Sequence, residues 1–181
     1  MIRTLVAALG IGALLSACAS TPPTIPPVAS VDMPRFMGDW YVIAQIPTYI
    51  ERKAYDSVES YRLDADGTIR TTFRYRNGSA DAPMKTMEPV GRVVPGTNNA
   101  VWEMQFVWPI QAEYVIVDLA PDYSRTIVGR SKRDYVWLMA RQPSLPAPEL
   151  AAAIEKIRAL GYDTAKLRMV PQSAATATTK P

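Results

Sequence analysis

The chain has no histidine and a single cysteine in 181 residues. Without histidine it cannot build a His-based catalytic dyad, and the remaining residues supply neither the usual ligand set of zinc nor a second thiol for a disulfide. The commonest hydrolase and metalloenzyme chemistries are therefore excluded, and no metal or cofactor is expected. Runs of basic residues are also missing. The formal +3 charge is spread as single Lys and Arg residues, which leaves no footprint for nucleic acid. No apolar stretch is a comfortable match to the roughly 20 residues that a membrane-spanning helix needs. What is present, 48% hydrophobic and 20% charged residues, is ordinary for one globular domain with a sizeable core.

The longest apolar stretch opens the chain. Residues 1–17, MIRTLVAALGIGALLSA, put Arg3 ahead of an apolar segment that ends in small residues, the pattern of a secretory signal removed before folding. The join LLSAC resembles a bacterial lipobox. That resemblance implies cleavage before Cys18, a diacylated sulfur and an acyl chain such as palmitate on the new amine. Several acyl chains anchor firmly where one gives only marginal binding, so the protein should sit on a membrane, not in it. By the same resemblance Ala19, in place of Asp, implies sorting to the outer membrane of a Gram-negative cell, on its periplasmic face. Residues 18–31 read as a lipid-attached Pro-rich tether, 32–171 as the folded domain and 172–181 as a disordered tail.

From residue 38 the pattern has period two, broken by turn signals at short intervals. In TIRTTFRYR (68–76) the residues Arg70, Thr72, Arg74 and Arg76 alternate with Ile69, Thr71, Phe73 and Tyr75, so one face is wet and the other apolar. Gly67 before it and Asn77-Gly78 after it supply hairpin turns. AVWEMQFVW (100–108) repeats the scheme with Trp102, Met104 and Phe106 on one side. Further strands are expected at 55–63, 84–94, 113–119, 125–130 and 134–141, with Pro89 marking an edge or bulge in the second of these. With GDWYVIAQIP (38–47) the count is eight. The fold class is all-β, an eight-stranded up-and-down antiparallel barrel, whose closure removes exposed edges and leaves room for one small ligand. PAPELAAAIEKIRALGY (146–162) predicts a helix packed outside the barrel through Leu150, Ile154, Ile157 and Leu160, and AKLRMV gives a short last strand.

Three motifs in order resemble the lipocalins, and within them the bacterial outer-membrane branch that is similar to apolipoprotein D. They are Gly38-Asp39-Trp40-Tyr41, Asp122-Tyr123 within APDYS, and DYVWLMAR ending in Arg141, spread over residues 31–172. Pro121 stands where the family has Thr. The resemblance implies that Trp40 closes the barrel floor with Arg141 across its ring, while Gly38 lets the entering chain pass close to the floor.

If Arg141 points inward, period two turns Met139, Trp137 and Tyr135 inward, and if Trp40 does, so do Val42 and Ala44. On the second strand Ser57, Glu59 and Tyr61 match the family's inward series, and taken strand by strand the resemblance implies as ligand-binding residues Glu59, Tyr61, Phe73, Tyr75, Trp102, Met104, Phe106, Tyr114, Ile116, Trp137 and Met139. A carboxylate facing a barrel interior is costly unless it is solvated or paired, so Glu59 is expected at a solvated rim. The resemblance implies a hydrophobic small molecule, a fatty acid or lysophospholipid, held for envelope lipid storage, transport or repair. Two other readings stay open. The barrel could be filled and its outer face bind an envelope partner, or Glu59 and a Tyr could serve an enzyme acting on a lipophilic substrate. Binding rather than catalysis is the expected function, and the sequence leaves a homodimer open.

Overall fold

The structure, a computed structural model, describes residues 24–173. The expected signal segment, Cys18 and residues 174–181 lie outside the described residues. A short helix α1 (Met33–Phe36) leads into β1 (Gly38–Ile46), β2 (Ala54–Leu63), β3 (Ile69–Asn77), β4 (Met84–Met87) and β5 (Val90–Val93). β6 (Val101–Val107), β7 (Ile110–Leu119), β8 (Arg125–Gly129) and β9 (Val136–Ala140) follow, then α2 (Ala147–Ala159), a 3₁₀ turn (Thr164–Lys166) and β10 (Arg168–Met169).

Apart from β4 and β5, which each pair with β3, neighbours in sequence from β1 to β9 pair antiparallel, and β9 returns to β1, with Tyr41 opposite Ala140 and Ile46 opposite Val136, to close the barrel. The expected strand 84–94 is broken into β4 and β5 at Glu88-Pro89, because proline has no N–H for the ladder. Its carbonyl instead accepts from Thr71 N at 3.0 Å. The wall therefore has eight staves, one of them in two pieces, and β10 pairs on the flank of β1 through Ala44 and Met169.

Period two holds best on β3, where Ile69, Thr71, Phe73 and Tyr75 are buried and the arginines between them face outward. It fails on β1. A bulge between Val42 and Ala44 shifts the register against β9, so that Val42 lies opposite Met139 and Ala44 opposite Leu138. Val42 joins the interior cluster with Trp40, Trp102 and Ile116, whereas Ala44, expected to face inward, packs outside with Ile43, Ile127 and Leu138. That outer cluster is covered by α2 through Ala153 and Ile157, with Leu150 and Leu160 at its ends. Ala153, not the expected Ile154, is the buried residue of the second turn. Asp118 on β7 pins the helix, accepting from Lys156 while Arg125 holds its other oxygen at 2.7 Å.

The floor is built as the motif implied. Trp40 is fully buried, its Nε1 donates to Phe36 O at 2.8 Å, and the Arg141 guanidinium carbon stands 3.7 Å from the Trp40 ring centroid. Arg141 also donates to the carbonyls of Arg35, Phe36, Met37 and Asp39 at 2.7–3.0 Å. Gly38 has φ +90, which other residues adopt only with strain, and a Cβ there would sit 3.5 Å from Arg141 Nη1. Tyr123, at φ 62, accepts from Asp32 N at 2.8 Å and carries the Arg35 guanidinium 4.0 Å over its ring.

The described part of the expected tether is not free. Ile25 is buried against the outer cluster, its N–H donates to Ser131 Oγ at 3.4 Å, Val28 N donates to Ile116 O at 2.9 Å and Val31 N to Asn98 O at 3.0 Å. Residues 24–31 form a strap along the barrel wall, because Ile25 and Val31 bring apolar surface that the wall can bury. At the other end Gln172 and Ser173, expected as tail, hold the start of β2. Gln172 Nε2 donates to Val42 O at 2.9 Å and Ser57 O at 3.0 Å, and Ser173 N donates to Asp56. Among the described residues no helix is long and apolar enough to cross a membrane.

Candidate functional site

The barrel is packed at the α1 end and open at the other. The packing follows from residue size: Trp102 stacks on Tyr114 with centroids 4.8 Å apart, and Phe36 meets Trp102 edge-on at 5.3 Å. These rings, with Tyr61, Ile116 and Met139, fill the lower half. Above them a cavity of about 310 Å³ opens to the mouth, lined by Glu59, Phe73, Met104, Phe106, Tyr114 and Trp137 together with Met87, Ala112, Glu113, Arg130, Tyr135 and loop residues 48–51. A larger groove of about 470 Å³ at the Pro89 break lies on the outer face among Ser60, Arg62, Arg70 and Thr72, and its walls are polar.

Most of the cavity wall is apolar or aromatic, and its polar groups include Glu59 on β2, Thr48 and Glu51 in the loop before it, Glu113 and the Tyr114 hydroxyl on β7, and Arg130 after β8. Glu59 faces inward beside Tyr61, whose hydroxyl donates to it, and the Tyr61 and Tyr114 hydroxyls are 2.7 Å apart. Burial, aided by the charge of Glu51, raises Glu59 from 4.5 to about 8. Glu59 is thus a neutral acid at pH 7, held away from the solvated rim that the sequence suggested. The Tyr114 hydroxyl is pushed well above its ordinary value by burial, then by Glu59, and stays protonated. Glu51 is buried and fully engaged: its Oε1 accepts from Trp137 Nε1 at 2.9 Å, its Oε2 accepts from Thr48 N at 3.1 Å and from Thr48 Oγ1 at 2.5 Å. Its backbone carbonyl takes Gln45 Nε2 at 3.2 Å.

The structure brings together Glu59, Phe73, Met104, Phe106, Tyr114 and Trp137 at one cavity. Tyr61, Trp102, Ile116 and Met139 do face inward but belong to the packed half below it, where the aromatic rings leave no room for a ligand. Tyr75 stacks on Phe73 at 4.9 Å and backs the wall without lining it, and Ser57 is buried beside the tail-end contact of Gln172. The reading of the sequence missed Glu51, Gln45 and Arg130. Glu51 sits in a connecting segment where no periodicity assigns a direction, Arg130 lies just past the end of β8 although the strand was expected to include it, and Gln45 turns inward only because of the bulge. The one available signal was Glu51 itself, an acidic residue directly after the apolar pair Tyr49-Ile50.

Three kinds of comparison agree with this geometry. A lipocalin-like domain family model matches residues 31–172. The outer membrane lipoprotein Blc of Vibrio cholerae is 28% identical over 162 residues, covering 88% of this chain and 93% of that protein. Apolipoprotein D of Macaca fascicularis is 28% identical, with 82% of each chain covered. Insecticyanin from the tobacco hornworm Manduca sexta superposes with a TM-score of 0.64 at 18% identity, over 86% of this chain and 88% of that one. With a closed barrel of eight staves, a Trp40–Arg141 floor, a helix on the outside and a family match over most of its length, the chain belongs to the lipocalin family.

Proposed function

We propose that this lipocalin holds a single-chain lipid, with the acyl tail against Phe73, Met104, Phe106 and Trp137 and the head at the rim. The observation that carries the reading is the cavity itself: an apolar wall closed below by aromatic rings and open above, with its volume near the lower end of small-ligand sites. The neutral state of Glu59 removes a charge that an acyl tail would otherwise meet. At the rim Arg130 is the one basic residue among the lining side chains, and the acidic residues Glu51 and Glu113 stand with it. These groups are already engaged, Arg130 with Asp134, Glu113 with Ser131 and Glu51 with Trp137 and Thr48, so the rim suits a fatty acid or a lysophospholipid without choosing between them. Holding rather than turnover is the proposed activity, in storage, transport or repair of envelope lipid. The name outer membrane lipoprotein, borne by the Vibrio cholerae relative, supports an anchor at Cys18 and an outer-membrane location.

Native mass spectrometry of the mature chain, titrated with lysophosphatidylethanolamine and with palmitate, tests the reading. The expected result is a one-to-one adduct with at least one of the two lipids, with a change in Trp137 fluorescence. No adduct with either lipid would reject it in favour of a partner-binding barrel. Cys18→Ala should leave an uncleaved, unacylated precursor, and normal processing of that variant would remove the anchor.

A further inference from the structure

Among the described residues, most of the exposed large apolar side chains gather at the mouth of the barrel. Six exposed large apolar side chains surround it: Tyr49 at 80%, Trp108 at 81%, Ile110 at 68%, and Ile50, Met84 and Phe106 at 45% each. The only others among the described residues are Leu63 and Met169. The mouth residues come from three separate segments, the β1–β2 loop, β4 and the β6–β7 hairpin. Tyr49, Ile50 and Phe106 line the cavity, and the strand directions put Met84, Trp108 and Ile110 at the same end of the barrel. Exposed cations lie among them: Arg52, whose guanidinium carbon is 5.1 Å from the Tyr49 ring centroid, Lys53, and Lys85 beside Met84. Of the mouth acids, Glu51 and Glu113 are tied up by hydrogen bonds and Asp134 pairs with Arg130 at 3.5 Å, which leaves Asp81. Aromatic and aliphatic tips with basic side chains behind them are the composition that partitions into the headgroup region of a bilayer.

The strap supplies a second, geometric argument. Ile25 is bonded to Ser131 at the mouth and Val31 to Asn98 at the floor, so the chain arrives on the barrel at its open end. Cys18 precedes Thr24 by six positions, a reach of at most about 20 Å. The barrel wall is about 30 Å long, from the ten-residue strands β2 and β7. A lipid on Cys18 can therefore hold the mouth at the bilayer, but it cannot let the chain run the length of the wall to present the floor.

We propose that the barrel docks mouth-down on a phospholipid bilayer. Trp108, Ile110, Tyr49 and Ile50 enter the boundary between headgroups and acyl chains, and Arg52, Lys53 and Lys85 meet the phosphates. The orientation rests in part on the acylation of Cys18, while the rim chemistry stands without it. A protein partner covering the same ring would seal the opening through which a lipid must pass. A bilayer both covers the ring and supplies the ligand.

The test is fluorescence of the mature protein, reconstituted from the cell envelope into phosphatidylethanolamine and phosphatidylglycerol vesicles that contain a lipid spin-labelled near its headgroup. Trp40, Trp102 and Trp137 are buried, so rim contact reads out through Trp108. The expected result is strong quenching that falls several-fold in Trp108→Phe and in Ile110→Glu. Quenching that survives Trp108→Phe would place the labelled lipid in the cavity alone and overturn the docking. Absence of quenching in the native protein would overturn it too, as would shielding of Trp108 by a second copy without vesicles. The mass of the Cys18 peptide is read in the same samples. Acylation without quenching sinks the docking and keeps the anchor, whereas quenching without acylation keeps the docking and sinks the anchor.

Discussion

Trp137 Nε1 donates to Glu51 Oε1 at 2.9 Å, fastening the wall strand β9 to the loop at the cavity mouth. The same carboxyl group faces Glu59 closely enough for its charge to help hold Glu59 protonated. One side chain thus fastens the mouth and adds to the burial that keeps Glu59 protonated. Glu51→Gln keeps an acceptor for Trp137 but removes the charge. The expected outcome is a downward move of the Glu59 titration from about 8, read by carbon NMR of the side-chain carboxyl. An unmoved titration would mean that burial alone raises it.

The raised value of Glu59 makes folding stability depend on pH in a definite direction. Between the ordinary value of 4.5 and about 8 the folded chain keeps a proton that the unfolded chain releases. Stability is therefore full below the lower value, is lost progressively as pH rises, and the loss is complete above the upper one. Glu59→Gln should flatten that decline, gaining a few kcal/mol over the native protein on the alkaline side. Thermal unfolding across the window checks it, and an equally steep decline in the variant would show that another group is responsible.

Arg141 lies over Trp40 and bonds four backbone carbonyls of the segment that plugs the floor. Arg141→Ala strips partners from those carbonyls and removes the cation over the ring, a loss of about 3 kcal/mol. Arg141→Lys keeps the charge without the planar fork and should fall between. Urea unfolding measures both, and an alanine variant as stable as the native protein would show the floor to be held by Trp40 packing alone.

Two small residues on the barrel wall give opposite predictions. Ala44 is fully buried under α2, so Ala44→Phe overpacks the outer cluster, costs about 1–3 kcal/mol and leaves lipid binding intact. Ala112 lines the cavity, so Ala112→Phe should reduce lipid occupancy several-fold with little change in stability. Denaturation and native mass spectrometry on the pair separate wall from cavity, and loss of lipid from the Ala44 variant would reverse the assigned faces.

That pair also marks where the sequence was legible and where it was not. β3 reads directly because its inward residues alternate without interruption from Ile69 to Tyr75. β1 does not, since one extra residue between Val42 and Ala44 reverses the faces beyond it, and polar Gln45, which simple alternation turns outward, disguises the change. Inward direction alone also could not say which rings meet a ligand. Trp102 and Tyr114 both point inward, yet their mutual stacking buries Trp102 in the floor and leaves Tyr114 at its upper surface. Glu59 was found by its match to the family's inward series, whereas its neutral state comes from burial, with help from Glu51, which arrives from a loop.

The strap has a mechanical consequence. Its bonds, from Ile25 at Ser131 to Val31 at Asn98, are strung out along the barrel wall, with Asn98 and Asn99 side chains gripping Ala29 O and Val31 O at 3.1 and 3.0 Å. A pull on the start of the chain, directed out of the mouth, runs parallel to the strap. Its attachments then carry the load in shear, together and not one after another. Tension at that end would be spread over the wall before any of it reached the turn of α1 that seats Trp40.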